Sequence, residues 1–290
     1  MALTADIRPR GPYALALTAA WAGDATRSFR DGVVTAALPA GQAAAAWQRP
    51  DGTVLVRADS EAALERMRFV LALDDDHSEF LARFRDDPLL GRATLLLRGL
   101  RPLRVPTVAT ALLRALCGQL VDSRTARSLE RRIVRSVTRP ARGGLHEPAT
   151  GSELARLAPT ELRRLGLHAR RSAALVRVCR SLDLERLHAL PTPAAAARIE
   201  RERGLGPWSA GVVCLEGLGR RECGLVGDLG LVKLLSALRG RRVEASETAE
   251  LLEPYGEWAG YASVYLLKGF ARGLVPVPAA RPGRRGWVAA

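Results

Sequence analysis

A chain of 290 residues with 48% hydrophobic content is long enough for two or three compact units and can bury a sizeable core. Its formal charge of +14 points to a polyanionic partner, nucleic acid first, and the basicity is almost all arginine, with lysine only at 233 and 268. No apolar run approaches a membrane span and the start, Met1 to Arg8, lacks the order of a secretory signal, so no membrane partner and a cytoplasmic location are expected.

Residues 1 to 102 read as an α+β unit. Short strands are expected over 13–20, 32–38, 43–48 and 53–58, with Pro50-Asp51-Gly52 as a hairpin turn and Ser60 capping a helix from Glu61 to Leu73. Asp74-Asp75-Asp76 reads as a solvated turn, and this unit holds no catalytic constellation. Leu103-Arg104-Val105-Pro106 looks like a junction. The run from Thr107 to Cys117 is apolar almost all round, which predicts a buried helix. It ends at Gly118-Gln119-Leu120-Val121, after which Ser123 is expected to cap a helix to Val137. Short helices over 152–157, 160–165 and 169–182 carry arginines between apolar positions. From Arg124 to Arg180 fourteen arginines stand against Glu130, Glu147, Glu153 and Glu161, so the charge is concentrated rather than spread.

An Ala-rich helix, 194–203, leads into Gly204-Leu205-Gly206, where two glycines able to adopt positive φ let the chain reverse. Pro207 sits where a helix tolerates proline best, at its first position, and a second apolar helix follows from Trp208 to Gly217. The amides of Gly204, Gly206 and Trp208 are suited to hold a phosphate. Asp228 precedes an apolar run to Leu238 and by local pattern is a helix N-cap. Glu253-Pro254-Tyr255-Gly256-Glu257-Trp258 follows a further helix, and 275–290 reads as a disordered tail rich in Pro, Gly and Arg. Cys117, Cys179, Cys214 and Cys223 are far apart and read as buried thiols, and the four histidines make no metal-ligand pattern with them.

Hairpin, Trp208 and Asp228 at this spacing resemble the DNA glycosylase superfamily named for its helix-hairpin-helix, Gly/Pro-rich loop and catalytic Asp, and within it the 3-methyladenine DNA glycosylase II (AlkA-type) branch. The resemblance is strong from Pro106 to Ala262 and weaker before. It implies an antiparallel-sheet N-terminal domain (1–102), a helical glycosylase core of two subdomains (103–274), and a monomer acting on damaged double-stranded DNA at the nucleoid. On it Asp228 is the catalytic carboxylate, Trp208 and Tyr255 line the base pocket, and Leu120 is the wedge that fills the space a flipped nucleotide leaves, with Gln119 contacting neighbouring bases. Read alone, Leu120 is one more core residue. Trp208 stands where lyase members carry a lysine, so simple hydrolysis is expected. No cofactor is implied: the four closely spaced cysteines of iron–sulfur branches are absent, while a cation on hairpin carbonyls is compatible with the family. Arg203, Gly227 and Val212 depart from the family pattern. A helix-hairpin-helix protein that binds DNA without chemistry, or a glycosylase for an uncharged base, are the alternatives.

Overall fold

The computed structural model of the chain describes residues 2–20 and 22–278. Five strands, β1 (Leu3–Ile7), β2 (Arg27–Arg30), β3 (Val33–Ala37), β4 (Ala43–Gln48) and β5 (Val54–Ala58), form an antiparallel sheet in the order β1-β5-β4-β3-β2. Alternation decides its faces. Val34 and Ala36, Ala44 and Ala46, and Val54, Val56 and Ala58 all point to one side. There they meet Ala63, Leu64 and Met67 of α2 (Glu61–Val70), whose N-terminus Ser60 caps by accepting from the Ala63 amide at 3.1 Å. Two expectations need correction. Residues 15–19 form a helix, α1 (Leu15–Ala19), rather than a strand: Leu15, Thr18 and Ala19 are buried at helical spacing. The edge strands β1 and β2 were not expected at all.

Helices α3 (Ser78–Arg83) and α4 (Gly91–Leu96) precede the helical part in sequence, yet Phe80, Phe84, Leu90 and Ala93 belong to its core rather than to the sheet's. That core gathers around α5 (Val108–Gly118), of which nine residues are buried as an all-round apolar helix requires. Against α5 pack α6 (Ser123–Val137), α9 (Ala169–Ser181) and α11 (Pro207–Val212). The short α7 (Gly151–Arg156) and α8 (Pro159–Arg164) lean on α9, and α10 (Thr192–Glu200) on α11. After α12 (Leu229–Arg239) come α13 (Thr248–Leu252) and α14 (Ala259–Ala271), which closes the core beside α12 and α4. Asp122, not Ser123, caps α6, accepting from the amides of Arg124 and Thr125 at 2.9 and 3.0 Å. Asp75 is not simply solvated either; it accepts from Arg104 at 2.5 Å and from the Tyr261 hydroxyl at 3.0 Å. Of the tail expected from residue 275, Val275 is buried in the helical core, whereas 279–290 lie outside the described residues.

A buried ionic cluster joins the sheet unit to the helices. Arg114 of α5 reaches Asp24 at 2.7 Å, Glu130 of α6 at 2.9 Å and Glu216 at 2.7 Å, while Arg27 of β2 holds the same Asp24 at 2.5 Å. Burial by itself would raise the Asp24 carboxyl, but Arg27, Arg114 and the Thr26 amide overcome it and hold it well below the usual carboxylate range. No described helix is long and apolar enough to cross a membrane.

Candidate active site and nucleic-acid interface

The hairpin forms as its glycines suggest, with one difference. Gly204 takes φ +95°, but Gly206 stays extended (φ −113°, ψ −172°) as the N-cap of α11, with Pro207 in the first position. A single left-handed residue therefore suffices for the reversal. The helix beyond it is α-helical only to Val212; residues 213–217 widen into a π-helical turn that carries Cys214 and Glu216.

Asp228 caps α12, its Oδ1 accepting from the amides of Gly230 at 2.7 Å and Leu231 at 3.4 Å. The other oxygen, Oδ2, accepts from the Trp208 indole N–H at 3.0 Å. Three N–H donors thus orient one carboxylate, and hairpin and catalytic candidate, twenty positions apart, are physically joined. Two glycines make room for this. A methyl group on Gly118 would stand 2.7 Å from Cη2 of Trp208, and one on Gly230 would stand 2.4 Å from Leu267 Cδ2 and 3.0 Å from Asp228 Oδ1. Gly227, just before Asp228, has φ +88°, a value proline cannot adopt, and its amide donates to Thr248 Oγ1 at 2.7 Å. Proline could not stand at 227 in this backbone.

A cleft of about 1550 Å³ runs past this carboxylate. It is lined by Gln119, Leu120, Gly204, Gly206, Trp208 and Asp228, so six of the seven candidates come together. Leu120 is no core residue: it is 85% exposed and holds φ +57°, a left-handed conformation disfavoured for a leucine. Gln119 is occupied within the protein, its amide donating to the Gly204 carbonyl at 2.9 Å and to Ser209 Oγ at 3.1 Å. Tyr255 is the one candidate kept apart. It does not line the cleft: only 2% exposed, it packs edge-on to Phe84 at 5.1 Å, its hydroxyl 3.3 Å from Asp87, and burial pushes its phenol far up. The reversal at Gly256 (φ 50°, ψ −123°) belongs to the segment that turns Tyr255 inward.

Sequence reasoning missed Gly118, Gly230 and Ser209, which act through space and carry no motif. One stripe of α14, Val264, Leu267, Lys268 and Ala271, lines the cleft with Phe270 beside it, and Lys233 lines it too. Among the described residues no three His, Cys, Asp or Glu side chains converge as metal ligands, and all four cysteines are free.

No family model matches the chain. In sequence it is 28% identical over 205 residues, 67% of each chain, to a DNA-3-methyladenine glycosylase of Bacillus subtilis (strain 168). In structure it is similar to the 3-methyladenine DNA-glycosylase from Archaeoglobus fulgidus, with a TM-score of 0.80, 20% identity and coverage of 93% of this chain and 98% of that one. It is also similar to the Clostridium acetobutylicum 8-oxoguanine glycosylase/lyase in complex with DNA, at a TM-score of 0.76, 16% identity and the same coverage. The chain therefore shares the fold of these solved DNA glycosylases and has a DNA glycosylase as a relative in sequence.

Proposed function

We propose that the chain is a monofunctional DNA glycosylase of the AlkA-type branch. It acts as a monomer at the nucleoid and hydrolyses the N-glycosidic bond of alkylated, 3-methyladenine-like purines flipped out of duplex DNA, leaving an abasic site. The observation that carries this reading is the Asp228 carboxylate, fixed by the start of α12 and by Trp208 at the wall of a cleft rimmed by the exposed Leu120.

The chemistry follows from these parts. A base inside the stack cannot be attacked at C1′, so it must leave the helix, and Leu120 is shaped to occupy the vacated space. As the base departs, positive charge develops on the sugar. Asp228, already oriented and partly shielded from water, stabilises that charge without having to reorganise. The face of Trp208 is available to a cationic alkylated purine. The turn at Gly204 to Trp208 holds a phosphate through backbone amides, while exposed arginines such as Arg124, Arg163, Arg164 and Arg170 supply the sequence-independent attraction. Trp208 at the hairpin position, rather than lysine, supports hydrolysis without strand cleavage.

Base release from methylated duplex DNA by the wild type and Asp228→Asn tests this. Release of methylated purine by the wild type alone, with strands intact until alkali is added, is expected. Equal release by both proteins would remove Asp228 from catalysis. Tight DNA binding with no release from any lesion would leave a binding module instead.

A further inference from the structure

The sequence holds its four cysteines far apart, but the fold brings two of them together. Cys214 lies in the π-helical turn that follows α11, and Cys223 in the segment that runs from that turn to Asp228. The two thiols are hydrogen-bonded to each other. We propose that Cys214 and Cys223 are a peroxide-reactive dithiol, which closes reversibly to a disulfide and so ties the segment leading into Asp228 to the helical core. The reaction proposed at Asp228 uses neither sulfur.

The backbone around the pair is built for close approach. A methyl group on Gly211 would stand 2.4 Å from the Gly224 carbonyl oxygen, and one on Gly260 would stand 2.7 Å from that of Arg221 and 2.9 Å from that of Cys223. The segment is therefore held between α11 and α14. It is also pinned on both sides of Cys223, because the Gly260 amide donates to the Arg221 carbonyl at 2.8 Å and the Leu225 amide donates to Ser263 Oγ at 3.0 Å. At the other sulfur the Arg220 amide donates to the Cys214 carbonyl at 2.8 Å, folding the chain back onto the π turn, a helix irregularity that recurs at functional sites.

The thiols are unequal. Donation to Cys223 and then burial push the fully buried Cys214 thiol up, whereas accepting that hydrogen bond lowers the half-buried Cys223 against its own burial. Thiolate therefore forms first on Cys223, which is also the sulfur that solvent reaches. Its electron pair attacks one oxygen of a hydroperoxide and the O–O bond breaks. With hydrogen peroxide the departing hydroxide takes the proton released by Cys223 and leaves as water, and Cys223 becomes a sulfenic acid. Cys214 then attacks that sulfur, the S–O bond breaks, and the hydroxide leaves with the Cys214 proton as a second water. Two thiols are oxidised to one disulfide and one peroxide is reduced to two waters. Because the backbone is fixed on both sides of Cys223, bringing the sulfurs to about 2.0 Å falls to side-chain torsions and to the π turn, and Asp228 keeps its place. The cross-link is a lock rather than an off-switch.

The test treats the whole protein with hydrogen peroxide, alkylates the remaining thiols under denaturing conditions and maps the peptides by mass. The expected product is a Cys214–Cys223 disulfide, two hydrogens lighter than the dithiol and reversed by dithiothreitol, with Cys117 and Cys179 still alkylated. Its thermal midpoint should stand roughly 5 °C above that of the reduced protein, a shift absent from Cys223→Ser. Base release should be the same before and after oxidation. That one readout rests on the glycosylase reading, whereas the disulfide and the midpoint do not. Sulfinic acid on Cys223 with Cys214 still alkylated, or a bridge to another cysteine or another chain, overturns the inference. So does a disulfide that lowers the midpoint, or one that abolishes base release until it is reduced. A disulfide that forms in a protein releasing no base in either state leaves the inference standing and brings down the glycosylase reading alone.

Discussion

Gly118→Ala is a single added methyl group that should disable the site without unfolding the protein. Gly118 closes α5, and the new Cβ would lie 2.7 Å from Cη2 of Trp208. Carbon atoms rest at roughly 3.5 Å or more, so the indole must retreat by about 0.8 Å. The same ring donates to Asp228 Oδ2 at 3.0 Å, so the movement lengthens or breaks that hydrogen bond. Hydrogen bonds to charged groups contribute about 1.5–3 kcal/mol. If that orientation is realised in the transition state, its loss lowers kcat/KM by about ten- to a hundredfold. Stability should hardly change, because alanine favours the helix by about 1 kcal/mol over glycine, which offsets part of the crowding. The assay is single-turnover base release from methylated duplex beside the thermal midpoint, with Trp208→Phe as the variant that removes the donor without adding bulk. Activity of both variants within twofold of wild type would refute the coupling of Trp208 to Asp228.

Further outcomes are expected elsewhere in the molecule. Leu120→Gly relieves a left-handed conformation that costs leucine about 1 kcal/mol, so it should raise the thermal midpoint while lowering base release from duplex DNA more than from single strands. Burial, helped by Arg101, lowers the His77 imidazole to about 4, so the unfolded chain takes up the proton first as pH falls. That stabilisation, roughly 3 kcal/mol, is present above pH 6.5 and lost between 6.5 and 4, and urea titrations of His77→Gln should lack this component. Asp24→Asn leaves Arg27 and Arg114 short of a buried partner and should cost about 3–5 kcal/mol at pH 7 by urea unfolding. In the wild type the Asp24 contribution is complete above the ordinary carboxylate range and disappears only as pH falls below it, because its folded-state value is depressed.

What could be read from sequence was chiefly what is local. Ser60, Asp228 and Pro207 mark helix starts by their own chemistry, and the strands over 33–37, 43–48 and 54–58 follow alternation that one buried face enforces. Residues 27–30, Arg-Ser-Phe-Arg, carry no such signal; they are a strand because β3 pairs with them, and Arg27 is buried because Asp24 and Arg114 lie within reach. Leu15-Ala16-Leu17 alternates like a strand, and only tertiary packing selects the helix. Family resemblance pointed to Asp228, Trp208, Leu120 and Tyr255; the first three line one cleft, whereas Tyr255 is held away from it by Phe84 and Asp87, more than 160 positions earlier. That one stripe of α14 lines the cleft was not legible. Which face of that helix meets an opening depends on α5, α6 and α12 together, and no local pattern encodes that.

The amide of Gln119 has a consequence for how a strand would be handled. By bonding to Gly204 and Ser209 it splices the loop bearing Leu120 onto the turn proposed to grip phosphate. The two then form one ruler of constant length. On the proposed function, a nucleotide held at the turn would be presented to the leucine at a set offset, whatever base it carried. Damage would thus be judged by how readily each nucleotide yields at a fixed station. Cutting the splice would blur where along the strand the protein looks before it weakened how tightly the strand is held.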